Sequence, residues 1–259
     1  MSGVFRVRDR EFSTGTHVMA ILNATPDSFY PFSRVGDDCV RRALEAVAQG
    51  AEIIDIGGQS TRPNGGQVSV LEELSRVLPV VESVRAATDC PISVDTYYPE
   101  VAEAVLEAGA DMINDVNCLA ADGMAETVAR YGAAVCIMHN RRCGGLDDLM
   151  ADKLAGLSAA VDKALRAGVR ADGIILDGGI GFNRSNAEDW ELLDRYRELS
   201  MLGYPLLLGT SRKSMFGGEP EGRLTATMET SAFAAKEGIL FVRVHDVREN
   251  LAAIASVAD

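Results

Sequence analysis

The chain has 259 residues, 47% of them hydrophobic, and a formal net charge of −13. That length suits one domain with a large core, and the acidity argues against nonspecific binding to nucleic acid or to an anionic membrane. No apolar run reaches the roughly 18–20 residues that span a bilayer, and the opening MSGVFRVRDREF is too polar for a signal peptide.

Two periods alternate along the chain. Strand-like runs at 17–23, 52–57, 91–95, 111–116, 133–138, 173–177, 205–210 and 240–245 are nearly continuous in Ile, Val and Leu, as strands covered on both faces must be. Each is followed by a helical pattern, in turn 37–49, 70–87, 99–108, 122–131, 146–167, 187–199, 223–237 and 247–257, with apolar residues spaced i, i+3, i+4. Glycines close several of these helices, and AQGAEIIDI, EAGADMINDV and RYGAAVCIM share one rhyme of helix end, glycine, alanine, strand. Strict alternation predicts a parallel sheet with helical crossovers, and eight units predict a single (β/α)8 TIM barrel over residues 1–259. A doubly wound open sheet is the alternative topology. Five scattered cysteines without a C-x-x-C pair favour neither a disulfide framework nor a structural zinc site. A reducing cytoplasm is the expected setting.

A barrel puts its chemistry at the C-terminal ends of its strands. Those ends carry Asn23, Asp55, Asp95, Asn114, His139, Asp177, Lys213, Arg243 and His245. Each alone reads as readily as a cap, a turn former or a buried, satisfied group; their shared edge is what points to a site. Asp95, Asn114 and Asp177 suit a flat heterocycle with an amidine-like N–H edge, which a carboxylate grips with two prongs. Lys213, Arg243 and His245 are donors on the side of a barrel that commonly holds phosphate. Asn23 suits a hydrated divalent cation or a phosphate oxygen. GGQSTRP at 57–63 and DGGIGF at 177–182 allow close backbone approach, but neither has the spacing of a P-loop or a dinucleotide fingerprint. No Ser/His/Asp nucleophile set is evident.

Taken in order, ILNATPDSF, EIIDIGGQSTRP, PISVDT, AGADMINDV, IMH, DGGIGF, LLLGTSRKS and RVHDV cover nearly the whole chain and resemble the dihydropteroate synthase family. The resemblance implies condensation of 6-hydroxymethyl-7,8-dihydropterin pyrophosphate with p-aminobenzoate, with Mg2+ as cofactor and a homodimer as the assembly. It implies that Asp95, Asn114, Met138, Asp177, Phe182 and Lys213 hold the pterin. Asn23, Arg62, Arg243 and His245 would hold the pyrophosphate, with Asn23 also at the metal, and Arg243→Ala is expected to weaken mainly pyrophosphate-bearing ligands. Phe29, Thr61, Arg62, Pro63, Ser211 and Lys213 would face p-aminobenzoate. Lys213, Asp95, Arg243 and His245 are the implied catalytic set. Two other readings share the barrel: a pterin-dependent methyltransferase, which needs no pyrophosphate site, and a pterin-binding paralogue without p-aminobenzoate chemistry. Lys213 with Arg243 and His245 favours the synthase.

The chain departs from the family pattern at Gly178, where proline is usual, and at Gln59, where glutamate is common. It also departs at Asn140, Arg141 and Arg142 after His139, and at Tyr30, Pro31, Phe32 and Ser33 in the first loop. These changes bear on loop closure and on p-aminobenzoate affinity, and hence on sulfonamide sensitivity, more than on the pterin.

Overall fold

The computed structural model describes residues 3–24, 35–59, 68–140, 148–182 and 185–257. A two-stranded antiparallel hairpin comes first, β1 (Phe5–Val7) and β2 (Arg10–Phe12), and was not expected from the sequence. Eight parallel strands follow: β3 (His17–Asn23), β4 (Ile53–Gly57), β5 (Ile92–Asp95), β6 (Met112–Asp115), β7 (Ala134–Met138), β8 (Ile174–Asp177), β9 (Leu206–Leu208) and β10 (Phe241–Val244). They close into a barrel in chain order, with β10 pairing back onto β3. The expected (β/α)8 architecture is therefore present.

The crossover helices are α1 (Val35–Ala48), α2 (Val70–Ala87), α3 (Pro99–Glu107), α4 (Met124–Arg130), α5 (Leu149–Ala167), α6 (Asn186–Asp194), α7 (Leu224–Lys236) and α8 (Val247–Ala255). Local chemistry fixes their ends. Ser69 accepts from the Glu72 N–H at the start of α2, and Ser185 with Glu188 forms a reciprocal capping box on α6. Gly168 ends α5 in the left-handed conformation (φ 99°), which only glycine enters without a Cβ penalty. The predicted helix 187–199 is shorter than expected: α6 stops at Asp194 and a 3-10 segment, Tyr196–Leu202, continues it.

The strand period of two splits the core into two clusters. Outward residues such as Ile54, Ile56, Val94, Val135 and Ile137 pack beneath the helices. Inward residues at the N-terminal end (Met19, Ile53, Met112, Ala134, Ile175, Leu207 and Phe241) form a second cluster with Phe5, Val7 and Phe12 of the hairpin. The hairpin therefore plugs that end. Its rings meet Phe241 edge-on, with centroids at 5.9 Å for Phe5 and 5.0 Å for Phe12. Strands of three residues, half of them charged, carry too little periodicity to be read from sequence.

Candidate active site

Two residues further along the same inward rows, the apolar plug gives way to polar side chains. Ile53 is followed by Asp55, Met112 by Asn114, Ile175 by Asp177 and Phe241 by Arg243, while Ser93 leads to Asp95 on β5. Asp55, Asp95, Asn114 and Asp177 are all buried. The Arg243 guanidinium bridges two of them, with Nε donating to Asp55 Oδ2 at 2.6 Å and an Nη to Asp95 Oδ2 at 3.0 Å. Asn114 donates from Nδ2 to the same Asp55 oxygen at 3.2 Å. Asp55 thus ties β4, β6 and β10 together at the barrel axis.

Buried charge of this density is costly, and the cost falls on the acid at the end of β5. Burial pushes the Asp95 carboxyl up to about 7; Arg243 pulls it back, while Asp55 and Glu73 add to the rise. Burial acts to lower the Arg243 guanidinium, but Asp55 and Asp95 outweigh it and hold the group further toward its charged form. Asp55 Oδ1 and Asp95 Oδ1 are buried acceptors with no donor among the described residues. Such oxygens stand ready for the N–H groups of a ligand.

Lys213 follows β9 in a turn built to deliver it. Arg212 adopts a left-handed backbone (φ 55°) and its guanidinium forks onto Asp246 at 2.8 and 2.7 Å, while its N–H donates to Thr227 Oγ1. Arg212 is therefore a structural anchor. The Lys213 stem crosses Gly181, where a Cβ would sit 2.8 Å from Lys213 Cδ. Its ammonium donates to the Ile180 carbonyl and lies 4.7 Å from the centre of the Phe182 ring. Burial lowers Lys213 to about 8, with Asp177 opposing that shift and Arg243 adding to it.

On the other side of Lys213, Ser211 Oγ lies 2.9 Å from His245 Nδ1 and accepts the His245 N–H at 3.2 Å. Asn23 ends β3 beside Gly57 of β4. Met138 is buried at the end of β7, directly opposite Asp177 in the β7–β8 register. His139 is buried; its N–H donates to the Asp177 carbonyl at 3.1 Å and its own carbonyl accepts from the buried Lys153 of α5.

The structure thus brings Asp95, Asn114, Asp177, Lys213 and Arg243 to one end of the barrel, with Ser211 and His245 beside them. It places Arg243 on the carboxylates rather than in a separate cationic half, because its inward side chain reaches past β3 to Asp55 of β4 and Asp95 of β5. Phe29, Thr61, Arg62 and Pro63 lie outside the described residues. Asp55, Tyr196 and Lys153 carry site geometry that the sequence reading gave no role. Asp55 had a signal, an acid within an otherwise apolar inward row; Tyr196 and Lys153 sit in helical patterns and had none. Among the described residues no group of three His, Cys, Asp or Glu side chains could hold a metal ion.

The sequence profile of the pterin binding enzyme family matches residues 19–245. The chain is 42% identical to dihydropteroate synthase of Clostridium beijerinckii over 255 residues, covering 95% of each, and 41% identical to that of Bacillus subtilis, covering 94% of this chain and 88% of the other. Its fold is similar to the Clostridium difficile dihydropteroate synthase solved in the presence of pteroic acid, at TM-score 0.91 and 42% identity, covering 95% of this chain and 97% of that one. It is equally similar, at TM-score 0.91, to the Xanthomonas albilineans enzyme with 4-aminobenzoic acid, at 37% identity over 99% and 97% of the two chains.

Proposed function

The chain belongs to the pterin binding enzyme family and is a dihydropteroate synthase by reaction, and we propose that the buried acids grip its pterin while the β9–β10 donors serve its leaving group. The reaction joins 6-hydroxymethyl-7,8-dihydropterin pyrophosphate to p-aminobenzoate. The bond between the exocyclic methylene carbon and the pyrophosphate oxygen breaks, and its electron pair leaves with pyrophosphate. The arylamine nitrogen bonds to that carbon and gives up a proton.

The observation that carries the residue assignment is the buried polar group at the mouth, the acids Asp55, Asp95 and Asp177 with the amide Asn114, near Lys213. Asp177 suits the two-pronged N3–H and 2-amino edge of the pterin, and Asp95 and Asn114 supply further acceptors. Lys213 would donate to the ring's polar edge. Met138 and Phe182 supply apolar contact to its faces. Arg243, His245 and Asn23 are the groups assigned to the departing pyrophosphate, Arg243 while also bridging Asp55 and Asp95, and fixed donors there would lower the barrier without reorganising. No side-chain nucleophile is needed, since the second substrate is the nucleophile. Ser211, with Phe29, Thr61, Arg62 and Pro63 by resemblance, belongs to the p-aminobenzoate side, and Arg62 is also shared with the pyrophosphate.

Mg2+ fits the donor set in one way. A cage made of protein side chains alone lacks ligands among the described residues. A hydrated divalent ion would need few protein ligands, and Asn23 would supply one. When bound, the ion supplies positive charge to the leaving pyrophosphate. We further propose a homodimer and a cytoplasmic setting; among the described residues no helix is long and apolar enough to cross a membrane, and sedimentation of the purified chain tests the dimer.

The deciding experiment measures pyrophosphate release from the dihydropterin pyrophosphate with Mg2+, with and without p-aminobenzoate. Release that requires p-aminobenzoate and yields dihydropteroate is expected. Pterin binding without such release would overturn the assignment in favour of a binding paralogue.

A further inference from the structure

We propose that Tyr196 is a positioning residue for Asp177, working as a pair with Gly178. This deepens the reading of Asp177 as the carboxylate that grips the pterin and rests on it. Tyr196 opens the 3-10 segment after α6 and is the largest fully buried side chain among the described residues. Its ring reaches under β8 and β9, and its hydroxyl meets three groups. It accepts the Gly178 N–H at 2.8 Å, lies 2.5 Å from the Leu207 carbonyl and lies 3.0 Å from Asp177 Oδ1. The Gly179 N–H donates to that same Asp177 oxygen at 2.7 Å.

A phenol has one proton and two acceptor sites. Gly178 occupies an acceptor site, so the single proton serves either the Leu207 carbonyl or the Asp177 carboxylate. In both states the hydroxyl oxygen fixes the turn that carries the carboxylate. Burial raises the Tyr196 pKa well above its ordinary value, so the proton stays on the ring throughout the working pH range. Oδ1 of Asp177 is held from behind by the Gly179 N–H, and by the Tyr196 hydroxyl as a second donor whenever its proton turns from the Leu207 carbonyl to the carboxylate.

Gly178 is what admits the ring. A Cβ there would stand 2.8 Å from Tyr196 Cε2 and 3.0 Å from Leu199 Cδ1. Gly178 is not in the left-handed region, so the requirement is space rather than backbone conformation. The usual proline at this position has no N–H to give the phenol and fixes the turn by its own ring. Here a hydrogen bond to a buried phenol does that work. The position of Asp177 is consequently tied to the segment beyond α6, which touches no substrate.

Three variants test this with two readouts: calorimetric binding of 6-hydroxymethyl-7,8-dihydropterin without p-aminobenzoate, and KM for p-aminobenzoate, with Tm recorded for each. Tyr196→Phe should weaken pterin binding about 10-fold, the scale of one lost buried hydrogen bond, while the p-aminobenzoate KM stays within about twofold. Leu199→Ala, which loosens the same pocket without touching a hydrogen bond, should lower Tm and leave pterin binding unchanged. Asp177→Asn is the reference. If Asp177→Asn leaves pterin binding unchanged, the reading of Asp177 itself fails. If Asp177→Asn weakens it but Tyr196→Phe does not, or if Leu199→Ala weakens it as much as Tyr196→Phe, Tyr196 only packs and the proposal is overturned. Should Tyr196→Phe not fold, Gly178→Ala keeps the hydroxyl but displaces the ring, and must weaken pterin binding selectively for the proposal to stand.

Discussion

The two ends of the barrel are built from the same strands and obey opposite rules. At the N-terminal end the inward rows are apolar, and the rings of Phe5, Phe12 and Phe241 fill the space that remains. Two residues along each row, the inward positions become the buried Asp55, Asp95, Asn114 and Asp177 and the partly buried Arg243, held by hydrogen bonds and ion pairs. Burying a ring stabilises the fold outright. Burying an acid costs, and a partner such as Arg243 only offsets that cost. Stability is therefore concentrated at one end, and the other end is free to hold groups whose geometry serves a ligand.

The largest effect should come from the functional end. Lys213→Ala or Asp177→Ala is expected to reduce turnover by about 10²–10³-fold or more, the scale of removing one charge-stabilising donor or its counterpart, with Tm close to wild type. A variant that melts far earlier would show its side chain to be structural. The converse variant is Phe241→Ala, expected to cost about 3–5 kcal/mol of stability in chemical denaturation. The fraction that remains folded should bind pterin normally, and a weakened pterin site would mean that the two ends are coupled.

Arg243 sharpens the comparison, because it is a candidate substrate-binding side chain that also behaves like a structural tie. The resemblance implies that Arg243→Ala weakens mainly pyrophosphate-bearing ligands. Its 2.6 and 3.0 Å contacts with Asp55 and Asp95 imply a loss for the bare pterin as well. Calorimetry with both ligands separates them: loss confined to the pyrophosphate ligand would show that the Arg243 bridge is not kept in the bound state.

The smallest effect is a pH dependence. Asp95 at about 7 needs to be ionised to accept, so pterin kcat/KM should fall as pH drops through about 7. Lys213 at about 8 loses its ammonium above that value, so the same quantity should fall again on the alkaline side. Stability moves with the protons. Between about 8 and 10.5 the unfolded chain still holds the Lys213 proton that the folded chain has released, so the lysine's contribution makes stability rise with pH in that window. For Asp95, between 3.8 and about 7, the folded chain holds the extra proton and stability falls as pH rises. Lys213→Met should remove the alkaline rise in a series of denaturation curves, and its persistence would assign the rise to another group.

Much of this was legible in the chain itself. Apolar runs alternating with helical periods determine a barrel, and barrel geometry alone collects Asp95, Asn114, Asp177, Lys213 and Arg243 at one edge. What could not be read is what depends on direction rather than on spacing. Arg243 turns toward Asp55 because a β10 inward position faces across the barrel. Tyr196 looks like one more apolar position in a helix until the helix gives way to a 3-10 segment and its hydroxyl meets Asp177. Lys153 reads as a surface charge, yet it is buried against the His139 carbonyl. The hairpin escaped because three-residue strands carry no period. The p-aminobenzoate roles of Phe29, Thr61, Arg62 and Pro63 rest on the resemblance, since these residues fall outside the described ones.

The aromatic plug also has a consequence for how the chain is made. Phe5 and Phe12 precede every barrel strand in the chain, and their partner Phe241 lies in the last of those strands. Every other strand is complete before β10 exists, and until then β3 and β9 each present an open edge. Ring closure and capping therefore occur together, as one late, long-range event rather than by stepwise addition of βα units. During synthesis the nascent barrel carries exposed phenylalanines and two unpaired edges, the surfaces through which partly folded chains associate with one another.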